Sequence, residues 1–165
     1  MNGMNLFYRE EVRITDAPAV RAIVKSSGYF SDEEVSIAVE LVEERLCKGE
    51  KSGYFFVFAE QGACLAGYSC FGPIPGSRYG YDLYWIAVDE KLRNLGIGKE
   101  LLLRSEAIIL DRGGRKIYIE TSSRSLYSDT LAFYGRCGYK SEACLDDFYA
   151  PGDGKIILSK MLYEK

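Results

Sequence analysis

"LYWIAVDEKLRNLGIGKELL", Leu83 to Leu102, is the stretch on which the reading of this chain turns. Its first six residues are apolar and bulky, as in a strand. Its last residues begin a leucine-rich helical pattern. Between them stand Gly96 and Gly98, with Arg93 ahead and Lys99 behind. A Walker loop needs a Ser or Thr after the glycine-lysine pair, and Glu100 stands there. A Rossmann fingerprint needs a third glycine where Leu101 stands. An anion still fits the stretch on physical grounds. Glycines leave backbone N–H groups uncovered, a helix N-terminus carries partial positive charge, and Arg93 and Lys99 add full charges. A helix entry that needs only flexible backbone would show the same spacing, so spacing alone leaves both readings open.

The rest of the chain narrows the setting. At 165 residues it is long enough for one domain with a real core. Hydrophobic residues make up 47% and charged residues 27%, and the net charge of −3 offers no basic field for nucleic acid. No apolar run reaches the roughly 18 residues of a membrane span, and "MNGMNLFYREEV" lacks the apolar centre of a signal peptide. Five cysteines, an odd number without a C-x-x-C, read as reduced thiols in a cytoplasmic protein. With no histidine, a Ser-His-Asp triad and most zinc sites are ruled out, and no metal is expected.

Patterning gives the elements. "EEVRIT" (Glu10–Thr15) alternates as a first strand. "TDAPAVRAIVKSSG" reads as a helix capped by Thr15 or Asp16, with Pro18 in its first turn and Gly28 at its end. A second helix follows, opened by a Ser31–Glu34 capping box, with Val35, Val39, Val42 and Leu46 as its apolar stripe. "YFFVFAE" and "CLAGYSCFG" form a hairpin, "YDLYWIAV" is a strand, and a helix runs from about Gly98 to Arg112. "RKIYIETS" is the next strand. "SDTLAFYGRCG" is a short helix capped by Ser128 and ended by Gly138, and a second hairpin closes the chain. The order β-α-α-β-β-β-α-β-α-β-β predicts an α+β, or mixed α/β, fold with one central sheet. Parallel pairing is expected in its middle and antiparallel pairing on its flanks.

Two stretches together resemble the GNAT N-acyltransferase superfamily. The first is the strand followed by [RQ]-x-x-G-x-[GA] and a helix, filled here by Arg93, Gly96 and Gly98. The second is "LAFYGRCGYK", similar to the A-x-x-F-Y-x-x-x-G-[FY] helix end, with Tyr134 at the tyrosine position and Gly138-Tyr139 after it. One departure stands out: Tyr127 occupies the place where many members carry a cofactor-contacting asparagine. The resemblance covers nearly the whole chain and implies a single acetyltransferase domain over residues 1–165. It implies acetyl-CoA, or another acyl-CoA, as co-substrate. Its pyrophosphate would lie on the N–H groups of Arg93, Asn94, Leu95, Gly96, Ile97, Gly98 and Lys99. Its pantetheine arm would pair with the backbone of Ile86, Ala87 and Val88, as an added strand does. In the family that strand bulges and splays from the next, "KIYIE", to admit the thioester.

The resemblance also implies direct acyl transfer to an amine. The amine must lose a proton to attack, and the departing thiolate is helped by one. Tyr134 is the implied acid. Glu120, ending "KIYIE", is the first choice as base, and Asp82, sharing a face with Tyr84 and Ile86, is the second or an orienting charge. Cys137 is expected to be buried structure, since no histidine can activate it. Tyr29, Phe30, Phe71, Tyr79, Tyr81, Tyr84 and Tyr149, with Asp146, Asp147 and Asp153, would suit a cationic small-molecule or peptide amine with apolar bulk. Core packing and solvated loop charge explain the same residues. A homodimer is left open. The other class of function is a non-catalytic GNAT-like module that binds acyl-CoA or recognises a partner.

Overall fold

The computed structural model describes residues 5–163 of the chain. Residues 1–4 and 164–165 of the expected domain lie outside that range. The elements, in chain order, are β1 (Leu6–Arg9), α1 (Asp16–Ser26), α2 (Asp32–Lys48), β2 (Phe55–Gln61), β3 (Cys64–Pro73) and β4 (Gly80–Val88). Then come α3 (Ile97–Asp111), β5 (Lys116–Ser122), α4 (Ser128–Arg136), β6 (Lys140–Ala150) and β7 (Asp153–Met161). The seven strands form one mixed sheet in the order β1-β2-β3-β4-β5-β7-β6. As expected, β4 and β5 pair in parallel, while β1–β2, β2–β3, β5–β7 and β6–β7 are antiparallel. The chain resolves into two compact units. The first holds residues up to Gly72 plus Trp85–Ala107, and the second holds Pro73–Tyr84 plus Ile108 onward.

In the first unit α1 and α2 cover one face of the β2–β3 hairpin. Val20, Val24, Val35, Ala38 and Val42 from the helices meet Phe56, Phe58, Tyr68 and Cys70 from the strands. The register pairs Phe56 with Cys70 and Phe58 with Tyr68, which puts all four on one face. The Ser31–Glu34 capping box forms as the spacing demands, with both reciprocal hydrogen bonds present. The apolar stripe of α2 stops short of expectation. Val35, Val39 and Val42 are buried, but Leu46, in the last turn, is exposed.

The first strand lies earlier than expected. It is Leu6–Arg9, and Glu10–Thr15 is a connection. The reason is electrostatic. Arg9 is buried, stacks over the Phe58 ring at 4.4 Å, and holds Asp16 at 2.5 Å and Glu60 at 2.8 Å. The Arg13 N–H also donates to the Asp16 carboxylate at 2.7 Å. Asp16 is therefore the acceptor for a buried cation and for the loop before α1, while Thr15, at the cap position, makes no side-chain cap bond. Removing one partner of such a buried pair costs about 3–5 kcal/mol.

In the second unit β5 pairs with β7 over its whole length, from Lys116↔Met161 to Ser122↔Lys155. The β4–β5 register covers Gly80↔Lys116, Tyr81↔Ile117 and Asp82↔Tyr118. Leu83 and Tyr84 of β4, and Ile119 to Ser122 of β5, lie past its last pair. The short helix α4 begins at Ser128, one residue earlier than a capping serine there would allow. Tyr127 takes the cap position, and the Ser128 hydroxyl donates backward to the Ser125 carbonyl at 2.7 Å.

Candidate active site

The candidate groups fall into two sets, one in each unit. In the first unit the chain leaves β4, passes through a three-residue 3-10 turn at Glu90–Leu92, and enters α3 through Arg93–Gly96. Asp89 starts that turn by accepting from the Lys91 N–H at 2.9 Å. Two residues then adopt left-handed backbone, Asn94 at φ 63° and Gly96 at φ 83°. Asparagine is one of the few side chains that tolerate this region, and glycine carries no penalty there. The Gly96 carbonyl accepts the first helical bond, from the Glu100 N–H at 3.1 Å. The amides of Ile97, Gly98 and Lys99 therefore have no acceptor within the helix. Asn94, Leu95, Gly96 and Lys99 are exposed, while Ile97 is buried beneath them. The Arg93 guanidinium rests 5.5 Å from the Tyr29 ring centroid, which holds its charge beside the turn. This is an anion-binding geometry made almost wholly of backbone.

Upstream, the Asp89 N–H donates to the Ala66 carbonyl of β3 at 2.9 Å, and the Ala87 carbonyl faces Gly67 so closely that a Cβ there would meet it at 2.9 Å. Strand alternation turns the backbone groups of Ile86 and Val88 to the opposite side.

The second unit carries the titratable groups. Pairing Asp82 with Tyr118 and Ser122 with Lys155 puts Asp82, Glu120 and Lys155 on one face of the sheet. Lys155 Nζ lies 2.7 Å from Glu120 Oε2. Asp82 is half-buried, and its carboxyl is pushed above the usual carboxylate range by burial first and by the charge of Glu120 second, with Lys155 pulling the other way. The sequence brought Asp82 and Glu120 forward. It did not bring forward Lys155, whose one signal is a lysine two residues after Asp153 at the head of an apolar run. Asp153 itself pairs with Arg124 at 3.1 Å and accepts from the Ser122 hydroxyl.

Tyr134 sits elsewhere in this unit. Its helix ends in a Schellman motif. The Tyr139 N–H donates to the Tyr134 carbonyl at 3.0 Å and the Gly138 N–H to the Gly135 carbonyl at 3.1 Å. Gly138 has φ 90°, and the Tyr134 and Tyr139 rings meet edge-on at 5.7 Å. Lys160, register partner of Ile117, reaches the Tyr139 ring at 5.5 Å. The Tyr134–Tyr139 pair thus belongs to the Ile117 face of β5, opposite the face of Glu120. Tyr134 is 5% exposed, and burial, then the neighbouring Cys137, which is part-buried and not fully buried as expected, pushes its hydroxyl far above the usual phenol value. It remains protonated throughout the neutral range.

Among the aromatics, Phe71 and Tyr81 are buried core residues, and Phe30 packs on Trp85 at 4.9 Å. Tyr79, Tyr84 and Tyr149 are exposed. Asp147 accepts from the Gly152 N–H at 2.7 Å and so holds its own hairpin.

A glycine turn entering a helix, on a mixed sheet with a parallel β4–β5 pair, is the frame in which the likeness to known proteins falls. The acetyltransferase (GNAT) family model matches residues 18–139, and the chain belongs to that family. A protein from Desulfovibrio desulfuricans assigned to the same family is 42% identical, with a TM-score of 0.94 over 95% of this chain and 99% of that one. The ribosomal-protein-S18-alanine N-acetyltransferase from Escherichia coli shares the fold at 19% identity, with a TM-score of 0.77 over 98% and 96% of the two chains. The PaiA N-acetyltransferase from Thermoplasma acidophilum, solved with coenzyme A, shares it at 20% identity, with a TM-score of 0.74 over 96% and 100%. None of the curated proteins matches the sequence. Among the described residues, no helix is long and apolar enough to cross a membrane.

Proposed function

We propose that the chain is an N-acetyltransferase that moves an acetyl group from acetyl-CoA to a primary amine by direct attack. The observation that carries this reading is the backbone of Arg93–Lys99 in a member of an acetyltransferase family. Left-handed Asn94 and Gly96 lead into helix-start amides, those of Ile97, Gly98 and Lys99, that have no acceptor within the helix, and Arg93 stands beside them. A pyrophosphate would take those donors, and an amide-bearing arm would pair with the outward groups of Ile86 and Val88. Ala87, turned toward β3, would contribute less. The bound thioester supplies an activated acyl carbon and a thiolate leaving group. The complex of the Thermoplasma relative with coenzyme A supports the choice of co-substrate. The family match runs through residues of both units, which supports reading the chain as one acetyltransferase domain, and we place it in the cytoplasm.

The chain's own groups then divide the proton work. Glu120 already holds an ammonium at 2.7 Å, so its carboxylate is placed to accept a proton from an amine. Burial raises the proton affinity of Asp82, which would orient the acceptor's positive charge or share the proton. Tyr134, neutral and fixed by its helix end, approaches from the opposite face of β5 and would donate to the departing sulfur where β4 and β5 run on past their last register pair. A phenol raised above 10 gives up its proton to a thiolate near 8.5 only at a cost of about 2 kcal/mol or more. Its main contribution is therefore a hydrogen bond that strengthens as charge develops on sulfur.

The test is thiol release from acetyl-CoA across a library of primary amines, run beside calorimetric binding of acetyl-CoA. Binding with no turnover on any amine would point to a binding module. Absence of binding would end the acyl-CoA reading. With an acceptor in hand, pH–rate profiles of Glu120→Gln and Asp82→Asn assign the base. Loss of the acidic limb in Asp82→Asn alone exchanges the two roles.

A further inference from the structure

Lys155 stands at the start of β7, and its ammonium occupies a small cage. Glu120 Oε2 lies at 2.7 Å, the Phe148 ring centroid at 3.8 Å and the Tyr149 centroid at 6.0 Å. Only 13% of the Lys155 side chain is exposed, against 51% for Glu120. A carboxylate with aromatic faces is the environment that recognises an alkylammonium. The hairpin is bent to make it. Between the pairs Leu145↔Lys155 and Ala150↔Asp153 the strand β6 runs out of register, and Asp147 adopts φ 54°. That irregular stretch contains Phe148 and Tyr149. So the carboxylate assigned to proton acceptance, Glu120, holds in this structure a primary amine that belongs to the chain itself.

We propose that Lys155 is an acetylation site of the protein's own activity, its Nζ taking the acetyl group with Glu120 as proton acceptor. The inference rests on the function proposed above for the donor and the acid. The step balances. The ammonium gives one proton to Glu120, and the neutral Nζ attacks the thioester carbonyl carbon. The N–C bond forms and the C–S bond breaks. The second proton lost from nitrogen balances the one taken up by the thiolate. The products are N-acetyl-Lys155 and free coenzyme A, with no oxidant or further reactant. The change replaces a cation by a neutral amide of the same stem. Glu120 is thereby released from its ion pair and free to meet an external amine. The unmodified chain has that position filled by its own lysine.

Selectivity makes the step testable without knowing the natural acceptor. Uncatalysed acetylation favours exposed, neutral amines, so Lys51 and Lys91, both at the surface, should react before an enclosed ammonium. The purified protein is incubated with acetyl-CoA near neutral pH and followed by intact mass and peptide mapping. Acetyl-Lys155 should form ahead of acetyl-Lys51 and acetyl-Lys91, at a rate independent of protein concentration. Tyr134→Phe should slow Lys155 by roughly 10²-fold and leave the surface lysines unchanged. Lys155→Arg, which keeps the charge, should lose the fast mass increment. Surface lysines reacting first, or Lys155 reacting equally in Tyr134→Phe, would overturn the proposal. So would an unmodified Lys155 in protein shown to bind acetyl-CoA, whatever happens with the amine library. Failure to bind acetyl-CoA at all would instead sink the proposed function, and this inference with it.

Discussion

Between Arg93 and Lys99 the candidate groups are backbone amides, whereas on the Glu120 face of β5 they are side chains arriving from three strands. The two constructions fail differently. A backbone site is set by a handful of local dihedrals, so it resists most substitutions and breaks at the few positions that control φ or access. A side-chain site depends on register across β4, β5 and β7, so each member can be removed singly while the strands stay in place. The turn should therefore answer mutation in affinity, and the second unit should answer in rate.

The sharpest division is expected from Tyr134→Phe. The ring and its edge-on contact with Tyr139 remain while the hydroxyl goes. We expect kcat to fall by roughly 10²-fold, with acetyl-CoA affinity unchanged by calorimetry. Because burial keeps the hydroxyl protonated, the loss should be the same from pH 6 to pH 9. A loss that varied over that range would mean Tyr134 titrates, against its buried setting. The mirror case is Gly98→Val, half-exposed in the first turn of α3. Its isopropyl group should cover the amide donors and weaken acetyl-CoA about tenfold, about 1.4 kcal/mol, with kcat at saturation kept. If Gly98→Val lowers kcat and spares affinity, the contrast between the two constructions is wrong.

Gly138→Ala tests a place where backbone serves a side chain. At φ 90° an alanine should cost about 1 kcal/mol of stability in a denaturant titration. It should also lower kcat several-fold by loosening the helix end that carries Tyr134. A stability loss with kcat intact would detach Tyr134 from its motif. The smallest effect is expected from Asp82→Asn on stability. Folding raises the proton affinity of Asp82, so the folded chain is favoured while that carboxyl is protonated and loses stability as pH rises through its range. The amide removes that loss. The variant should melt a degree or two above the parent at neutral pH and together with it near pH 3. A variant less stable than the parent at neutral pH would mean that the charge of Asp82 is used, with Lys155 outweighing burial.

The same division explains what could be read from the sequence. Element order, the capping box at Ser31 and Glu34, the hairpins and the glycine turn are local, and local pattern specifies them. So is the Gly138-Tyr139 end of α4, whose glycine requirement is visible as a motif. The misreadings came where a long-range partner overrode local pattern. Glu10–Thr15 alternates like a strand, but the buried contacts of Arg9 with Asp16 and Glu60 draw Leu6–Arg9 into the sheet and leave the next residues to bridge to α1. Ser128 suits a cap by type, yet its hydroxyl already serves Ser125. Lys155 was invisible as a site residue because its neighbours are Glu120, 35 positions earlier, and a bent stretch of β6. No spacing within the sequence states that register.

The latch at the end of α4 also has a use as a reporter. The Tyr139 N–H cannot exchange with solvent while it is bonded to the Tyr134 carbonyl, so its exchange rate counts how often that helix end comes undone. One resonance would then follow the anchorage of Tyr134 in the resting protein, with neither substrate nor turnover. Comparing its exchange with that of the global unfolding reaction would tell whether Tyr134 is let go locally or only when the whole unit opens.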